Sequence, residues 1–420
     1  MAPAAYADKA NRNLANGNIK VCMLCDLYPP LFSGASIQAH RLSKILLERG
    51  TKVFVLAGRY PGTKVEEEIE GVSVRRVGLV NSDAVMIRPF SMAFSLLPVL
   101  FAYRRAFDIL HIHSVKLFDF IPIFFARLLK KKVIVKMTLL GSITDPGVWL
   151  TSRLGILMRW SFAQADRIVS ISVPLSENYR RCGLDPSKLR HLPQGVDIHR
   201  FSPVTDAQKL DVRSALSLQG RAKYLCFVGS FKHRKGADIL VNAFICMAQQ
   251  YPDLNLLVIG PDTFDDPVRA KRHYEVFAED LKCRIATSGL AERVVFTGRT
   301  DDVPSYLQAS DIFIFPSRRE GLPSAVLEAM SVGLPCVLAS LDGIASEITA
   351  NGEAAVIIDT ESPADYEKAI SHLLSDPEAA AQLGKRARRR VEEVYSMKIV
   401  ADRYLELYRE LLGPQETIIQ

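Results

Sequence analysis

The sequence predicts an α/β protein built from two successive parallel sheets. At 420 residues the chain exceeds the size at which one hydrophobic core keeps growing, so we expect two domains of about 200 residues each. From residue 19 onward, short apolar or β-branched runs alternate with longer amphipathic stretches, which is the pattern of βαβ units. This pattern restarts after residue 203, following a stretch rich in proline, glycine and polar residues.

Ten apolar runs predict the strands of the two sheets. The first five are 19–26, 51–58, 107–114, 131–138 and 166–172, and the second five are 223–230, 255–262, 293–299, 311–317 and 335–340. The stretch LPQGVDIHRFSP at 192–203 suits an interdomain linker. We therefore predict a loose tail at 1–18, an N-terminal domain at 19–195, a C-terminal domain at 196–395, and a C-terminal helix at 396–420 that returns to the N-terminal domain.

The composition is that of a soluble globular protein, with 48% hydrophobic and 24% charged residues. The net charge of +7 is unevenly distributed, because residues 1–200 carry a net charge of +13 and residues 201–420 a net charge of −6. The basic half could meet nucleic acid, anionic lipid or a charged substrate, or be a solvated face without a partner. It lacks interleaved aromatic or groove-reading motifs, so we expect no nucleic-acid partner.

The seven cysteines are scattered, and most lie in apolar runs, which indicates buried, reduced thiols in a cytoplasmic protein. CMLC at 22–25 is a CxxC pair, but no second Cys or His pair at metal-binding spacing accompanies it, so we expect no metal.

Two segments raise the question of membrane contact. FSMAFSLLPVLFAY at 90–103 is too short to span a bilayer, and it is either a core helix or a surface that touches lipid. The run Lys130, Lys131 and Lys132 is either a solvated turn or a site that approaches anionic head groups. The predicted location is cytoplasmic, with peripheral contact at the inner face of the membrane as the alternative.

The segment REGLPSAVLEAM at 319–330 predicts an anion site beside two carboxylates. It follows a predicted strand, and Pro323 suits the first position of a helix, whose free N–H groups attract anions. Gly321 allows close approach of a ligand to the backbone. Glu320 and Glu328 would repel phosphate, but they are strong acceptors for sugar hydroxyls. A ligand with phosphates between two polyhydroxylated parts, such as a nucleotide sugar, would use all these elements.

The run from VVFTGRTDD (294–302) to LPCVLAS (334–340), with its Glu, seven residues, Glu motif, resembles the donor-binding region of family 4 retaining glycosyltransferases. LPQGVDIHRFSP and YPPLFSGASIQAHRLSKILLERGTKVFVLA resemble other parts of that family, so the resemblance covers about residues 19–410. It implies a GT-B fold, in which two Rossmann-like parallel-sheet domains face each other across a cleft. It also implies that Glu320 holds hydroxyls of the transferred sugar and Glu328 the ribose hydroxyls. The diphosphate would bind at Gly321, Leu322, Pro323 and Ser324. Without the motif, Glu320 would be a solvated loop acid and Glu328 an exposed helix residue.

FVGSFKHRKGADIL at 227–240 places Lys232, Arg234 and Lys235 in a loop where cations could neutralise a departing diphosphate. The family usually has Arg directly after the first glycine and Lys before the second. Lys235 keeps the second role, whereas Ser230 occupies the Arg position. Either Lys232 or Arg234 replaces that arginine, or turnover is weak, or the protein is not a transferase.

Four positions of the N-terminal domain are candidates for the rest of the predicted site. Gly34 matches one of two family glycines near the phosphates, and Ser33 replaces the other. His111 and His113 lie on one side of a strand end, where they could form half of a metal site, although no partner acids accompany them. The resemblance suggests that His113 faces the donor sugar or the acceptor; the alternative is a plain polar residue at a strand end.

The resemblance predicts a retaining glycosyltransferase that needs no metal and no cofactor, with a nucleotide-diphosphate sugar as co-substrate. Glu320, Lys235 and His113 are the predicted catalytic residues, and the acceptor would be a carbohydrate or a lipid-linked molecule in surface polysaccharide or glycolipid assembly. The alternatives are another GT-B enzyme, such as an epimerase, or a non-catalytic subunit that binds a nucleotide sugar or a lipid surface. The sequence identifies neither the base, nor the sugar, nor the acceptor.

Overall fold

The structure is a computed structural model that describes residues 19–31, 33–78, 87–113, 119–139, 155–261 and 272–413. The chain divides into two compact units, of which the first comprises Met1–Gly195 with Met397–Gln420 and the second comprises Val196–Ser396. We call them the N-terminal and the C-terminal domain. The predicted tail at 1–18 and the chain beyond residue 413 lie outside the described residues.

An eight-stranded sheet forms the centre of the N-terminal domain. Its strands are β1 (Lys20–Cys25), β2 (Lys52–Gly58), β3 (Glu66–Ile69), β4 (Val72–Val77), β5 (Ile109–His113), β6 (Lys132–Met137), β7 (Arg167–Ser170) and β8 (Leu189–His191). They lie in the order β3-β4-β2-β1-β5-β6-β7-β8, and every neighbouring pair is parallel except β3 with β4. The central strands are apolar on both faces, as expected of a parallel sheet covered by helices.

The hairpin of β3 and β4 departs from the predicted all-parallel sheet. β3 reads EEEI and β4 reads VSVRRV, so neither strand has an apolar run of the kind that predicted ten of the other strands. Glu70 and Gly71 connect the two strands and both have positive φ, the backbone that a tight two-residue hairpin requires. Charged side chains suit this position because β3 is an edge strand that must avoid pairing with other chains.

Helices cover the N-terminal sheet. They are α1 (Gly34–Glu48), α2 (Ile87–Ala102), α3 (Phe120–Leu128), α4 (Gly155–Gln164), α5 (Val173–Arg181) and, from the end of the chain, α14 (Met397–Leu412). α14 packs against α1, and its apolar residues join the same buried cluster as those of β1, β2 and α1. The helix near the chain end is thus part of the N-terminal domain.

The C-terminal domain contains a fully parallel sheet in the order β11-β10-β9-β12-β13-β14. Its strands are β9 (Lys223–Val228), β10 (Leu254–Ile259), β11 (Val294–Phe296), β12 (Ile312–Phe315), β13 (Cys336–Ala339) and β14 (Val356–Ile358). Its helices are α6 (Asp206–Ala215), α7 (Ala237–Gln250), α8 (Arg272–Thr287), α9 (Val303–Ala309), α10 (Ser324–Val332), α11 (Ile344–Thr349), α12 (Pro363–Ser375) and α13 (Pro377–Arg390). Both domains therefore have the predicted α/β class, with Rossmann-like parallel sheets.

The expectation of buried cysteines is wrong for two of the seven. Cys22, Cys25, Cys226 and Cys336 lie in buried strands and Cys182 is half-buried, but Cys246 and Cys283 are exposed. The two exposed thiols lie on α7 and α8, where an apolar sequence neighbourhood does not reveal which helix face a residue occupies. None of the seven forms a disulfide.

Candidate functional site

Two loops of the C-terminal domain meet at the carboxyl ends of β9 and β12, which are neighbours in the sheet. The first loop runs from 229 to 236 and leads into α7, and the second runs from 316 to 323 and leads into α10. Because the carboxyl ends of parallel strands form the ligand edge of such sheets, residues of these loops are the first candidates for binding.

The loops touch so closely at Gly236 that no side chain fits there. Gly236 has φ of 71°, and a Cβ atom at this position would lie 1.9 Å from the carbonyl oxygen of Pro316. Glycine is required here both for the left-handed backbone and for the contact. The neighbouring backbones are also bonded directly, because the Arg318 N–H donates to the Arg234 carbonyl over 2.9 Å.

Arg318, which the sequence analysis did not single out, is the main connection between the loops. Its guanidinium forms two 2.8 Å bonds with the Asp238 carboxylate, a 2.6 Å bond with the His233 carbonyl and a 2.9 Å bond with Glu361. This bidentate geometry fixes the second loop against the start of α7. The signal in the sequence was weak, because nothing distinguishes Arg318 from Arg319 until the fold is known.

Glu320 lies at the centre of this arrangement, with its carboxylate directed at residues of both loops. Its Oε1 accepts hydrogen bonds from Lys235 Nζ at 2.6 Å, Ser317 Oγ at 2.7 Å and Arg234 Nη1 at 3.3 Å. Glu320 is 8% exposed, so the alternative of a solvated loop acid is wrong. The structure brings three predicted site residues, Glu320, Lys235 and Arg234, into direct contact.

Burial and ion pairing have opposite effects on the pKa values of the pair formed by Glu320 and Lys235. For Glu320, burial is the largest single influence and favours the neutral acid, but Lys235 and Arg234 outweigh it and lower the pKa below its ordinary value. For Lys235, burial together with Arg234 outweighs the attraction of Glu320, so the pKa of its ammonium is also lowered. We infer an ionised pair at neutral pH, with a lysine whose proton is held less firmly than usual.

α10 begins beside this pair, one residue later than predicted. Pro323 has ψ of 112° and is the N-cap, so the first helical residue is Ser324. The difference from the prediction matters little, because the missing N–H of Pro323 is harmless both at the N-cap and at the first helical position. Gly321, Leu322 and Pro323 are buried and Ser324 is half-buried, so this loop presents backbone near the helix N-terminus, where anions are stabilised.

Glu328 lies in the second turn of α10 and is 7% exposed. The alternative of an exposed helix residue is therefore wrong. A buried carboxylate on an apolar helix is uncommon and indicates a specific requirement, either in packing or in binding.

Ser230 and Lys232 lie in the first loop but outside the cluster around Glu320. The flanking backbone is fixed to the next strand, because Gly229 N–H donates to the Ile259 carbonyl and Phe231 N–H to the Pro261 carbonyl. Ser230 is half-buried. Lys232 is the N-cap of the short turn His233–Lys235 and is also half-buried. Of the cations suggested to replace the family arginine, Arg234 is the one that contacts Glu320.

In the N-terminal domain, Ser33 is the N-cap of α1 and Gly34 its first residue. The Ser33 Oγ accepts from the Ser36 N–H at 3.1 Å, and the Ser33 N–H donates to Ser36 Oγ at 2.8 Å. Ser33 has φ of −134°, so no glycine is needed there. A Cβ atom on Gly34 would meet no atom within 4 Å, which leaves the start of α1 open to a close ligand.

His111 and His113 are buried at the carboxyl end of β5. His111 Nδ1 lies 2.9 Å from the Tyr408 hydroxyl, and His113 Nε2 lies 3.3 Å from the sulfur of Met23. Burial lowers both pKa values well below the ordinary range, so both rings are neutral. Among the described residues, no group of three or more His, Cys, Asp or Glu side chains could hold a metal ion.

Lys136 is a second residue that the sequence analysis did not single out. It is 2% exposed and lies opposite His113 on the neighbouring strand β6. Among the described residues it has no hydrogen-bond or ion-pair partner, although its ammonium lies 5.5 Å from the centre of the Tyr404 ring. Burial lowers its pKa to about 8. The available signal was one charged residue inside the apolar strand VIVKM.

Two protein-family models match successive parts of the chain. The model of glycosyltransferase family 4 matches residues 32–200, and the model of glycosyl transferases group 1 matches residues 208–390. The chain belongs to these glycosyltransferases. Its fold is GT-B in class, with two Rossmann-like parallel-sheet domains.

Individual relatives and structures give the same family and fold. The chain is 32% identical over 164 residues to the lipopolysaccharide core biosynthesis mannosyltransferase LpsB of Rhizobium meliloti (39% of this chain, 44% of LpsB). It is 29% identical over 222 residues to the mannosyltransferase LpcC of Rhizobium leguminosarum (53% and 60%). The matches thus span about half the length of these relatives. Anabaena Alr3699/HepE in complex with UDP and glucose superposes with a TM-score of 0.75 at 16% identity, covering 94% of this chain and 100% of HepE.

Proposed function

We propose that this glycosyltransferase moves a sugar from a nucleotide-diphosphate sugar to an acceptor hydroxyl, with retention of anomeric configuration and without a metal ion. The observation that carries the proposal is the contact of Glu320 with Lys235 and Arg234 beside the start of α10. It combines an acceptor for sugar hydroxyls, two cations and a helix N-terminus within one small region. Few ligands other than a sugar diphosphate use all three.

The contacts of Glu320 indicate how a donor would be received. Lys235 and Arg234 are held on Glu320, so donor binding exchanges one set of charge-assisted bonds for another. Sugar hydroxyls would donate to Glu320, and the diphosphate would accept from the released cations and from N–H groups at the start of α10. Because Glu320 contacts both cations, none of the three charged groups is buried without an oppositely charged partner.

In the proposed reaction the bond between the anomeric carbon and the diphosphate oxygen breaks, and a bond from the acceptor oxygen to that carbon forms on the same face. The acceptor proton passes to the departing diphosphate oxygen. Lys235, Arg234 and the α10 N-terminus stabilise the negative charge that develops there, and Glu320 positions the sugar. His113, neutral and buried in the N-terminal domain, is proposed to position the donor sugar or the acceptor.

The acceptor is proposed to be a carbohydrate or a lipid-linked molecule of surface polysaccharide or glycolipid assembly. This follows the names of the relatives, two of which are lipopolysaccharide core mannosyltransferases. The UDP-bound neighbour supports a nucleotide donor but does not select the base for this chain.

The test is a thermal-shift screen with UDP, GDP, ADP and their sugars, followed by measurement of nucleoside diphosphate release with candidate acceptors. We expect one nucleotide series to raise the melting temperature and one donor to release its diphosphate in an acceptor-dependent manner. Glu320→Gln should lower turnover by at least about 100-fold, because it weakens hydrogen bonds that position the sugar. The matched control is Glu279→Gln, an exposed carboxylate of the same domain.

Equal turnover in the two variants would refute the role of Glu320, and no thermal response to any nucleotide would refute the donor site. A second candidate function is a non-catalytic subunit that binds the nucleotide sugar, and Ser230 in the place of the family arginine favours it. That subunit would show the thermal shift but never release diphosphate with any acceptor.

A further inference from the structure

Three helices of the N-terminal domain carry large apolar side chains on their exposed surface. α2 packs on α3, and α3 packs on α4, so the three form a continuous layer. Their exposed large apolar residues are 37–75% exposed and comprise Phe94, Phe101, Phe124, Leu128, Ile156 and Trp160. We call this surface the α2–α3–α4 face.

The exposed and buried residues of α2 alternate with the helical period. Ala93, Leu96 and Leu100 are buried against the domain, whereas Phe94 and Phe101 are exposed together with Pro98. The segment predicted as either a core helix or a lipid-touching surface therefore has both faces apolar. An ordinary surface helix has polar residues on its outer face, so burial in this domain does not explain Phe94 and Phe101.

The same holds for the other two helices. On α3 the exposed residues include Phe124 and Leu128, and on α4 they include Ile156 and Trp160. The Phe124 and Trp160 rings lie 5.9 Å apart, so the two helices present one connected aromatic surface. Scattered single apolar residues on a surface need no explanation, but a connected set of this size does.

The charged residues of the three helices themselves are of one sign. The sequences of α2, α3 and α4 contain no Asp or Glu. Arg104 lies over the Phe101 ring at 4.2 Å, and Arg105, Lys130 and Arg159 are exposed nearby. Neither Arg105 nor Lys130 has an acidic partner among the described residues.

The neighbouring acids are already neutralised. Asp108 pairs with Lys131 at 3.7 Å, and Asp166 pairs with Arg127 at 2.9 Å and with Lys132 at 3.6 Å. Of the basic run at 130–132, only Lys130 is left with its charge unpaired. Among the described residues, the face therefore combines aromatic and aliphatic groups with the unpaired cations Arg105 and Lys130, while Asp108 and Asp166 beside it are paired.

We propose that the α2–α3–α4 face docks on an anionic phospholipid bilayer. Apolar side chains enter the boundary between head groups and acyl chains, and the cations meet the anionic head groups. Within the described part of the chain, no helix is long and apolar enough to cross a membrane. A second copy of the same face is disfavoured as the occupant, because two faces whose unpaired charges are all positive repel each other.

The proposal goes beyond the proposed sugar transfer and does not depend on it. The test is co-sedimentation of the full chain with phosphatidylcholine vesicles, without any nucleotide sugar. One set of vesicles contains no anionic lipid, and the other contains roughly 30% phosphatidylglycerol, which gives a significant negative surface potential. We expect binding to the anionic vesicles that weakens with salt. We also expect a blue shift of tryptophan fluorescence that is smaller in Trp160→Phe, which keeps Trp149.

The decisive variant is the triple substitution Phe101→Gln, Phe124→Gln and Trp160→Gln, which should lower vesicle binding by about tenfold or more. Its matched control is the pair Leu210→Gln and Val276→Gln, which removes exposed apolar residues of the C-terminal domain and should leave binding unchanged. If the triple variant fails to fold, Arg105→Gln with Lys130→Gln tests the same surface through its charge, and the loss should be confined to anionic vesicles.

Three outcomes would overturn the proposal. The first is that wild type does not sediment with anionic vesicles. The second is that the variants of the face bind them as tightly as the control pair does. The third is that wild type forms an oligomer that the triple variant dissociates while vesicles go unbound, which would assign the face to a second copy of the chain.

Discussion

The carboxyl ends of the two parallel sheets hold charge in opposite ways. In the C-terminal domain, Glu320 pairs with both Lys235 and Arg234, and Arg318 joins the loops that carry them. In the N-terminal domain, Lys136 is buried beside two neutral histidines, and among the described residues no acid pairs with it.

The difference shows why similar sheets have different pH behaviour at the same edge. A buried ion pair keeps both members ionised near neutrality, because the opposite charge of each member compensates for the hydration that the other has lost. A buried lysine without an acid instead loses proton affinity, and the pKa of Lys136 is lowered to about 8. The first arrangement suits the binding of a charged ligand, whereas the second lowers stability at neutral pH.

We call the carboxyl edge of the C-terminal sheet, where Glu320 pairs with Lys235 and Arg234, the paired edge. The largest effect on stability is expected where the two loops of this edge touch. Gly236→Ala would place a Cβ atom 1.9 Å from the Pro316 carbonyl oxygen, so the loops must separate. We expect a loss of about 4 kcal/mol in the free energy of unfolding, measured by urea denaturation. The control is Gly289→Ala, which has the same φ of 71° but no atom within 4 Å and should cost about 1 kcal/mol. Equal losses would mean that the contact is unimportant.

Removing Glu320 should leave the paired edge with cations that lack an acidic partner, as Lys136 does among the described residues of the N-terminal domain. Glu320→Leu leaves Lys235 and Arg234 without their shared partner, and we expect a loss of roughly 3 kcal/mol. Adding Lys235→Met to this variant should restore part of the loss, because one of the unpaired cations is then removed. A double variant no more stable than Glu320→Leu would show that the pair is not coupled.

Removing the unpaired Lys136 should raise the free energy of unfolding, whereas removing Glu320 should lower it. Lys136→Met should stabilise the protein by roughly 3 kcal/mol at pH 7, the amount that corresponds to the lowering of its pKa from the ordinary 10.5 to about 8. Unfolded chains bind more protons than folded ones between these two values, so the stability of the wild type rises with pH there. The advantage of the variant should be complete below pH 8 and disappear as pH rises through about 10.5. An advantage that does not change with pH would contradict the role of charge.

The smallest effect concerns an added cation at the paired edge. Ser230→Arg restores the family residue at a half-buried position, so we expect a change in stability within about 0.5 kcal/mol. If residue 230 faces the diphosphate, nucleotide affinity and turnover should be maintained or rise several-fold, because a guanidinium binds phosphate well. Loss of folding would instead place residue 230 in a packed site, and a matched Ser230→Gln variant separates charge from size.

Apolar runs predicted ten of the fourteen strands among the described residues, and a short motif pointed to Glu320 and Lys235, which the structure brings into contact. The runs did not predict β3 and β4, because an edge hairpin is stabilised by strand pairing and its turn rather than by burial of apolar side chains. They also did not predict β8 and β14, which are only three residues long. They did not predict that Glu320 and Lys235 touch, because contacts between residues 85 positions apart depend on strand order. Lys136 was overlooked because one polar residue scarcely changes the average of an apolar strand.

The position of α14 affects the order in which the chain can fold. The apolar cluster of the N-terminal domain draws residues from β1, β2 and α1 but also from α14, with all of the C-terminal domain between them in the sequence. At about 5–20 residues per second, a ribosome needs roughly 10–40 s to synthesise that intervening domain. The half of the protein that is made first therefore waits, with part of its core uncovered, for a helix made after the other half. During that interval chaperones have a surface to bind, whereas the C-terminal domain can close as soon as its own last helix emerges.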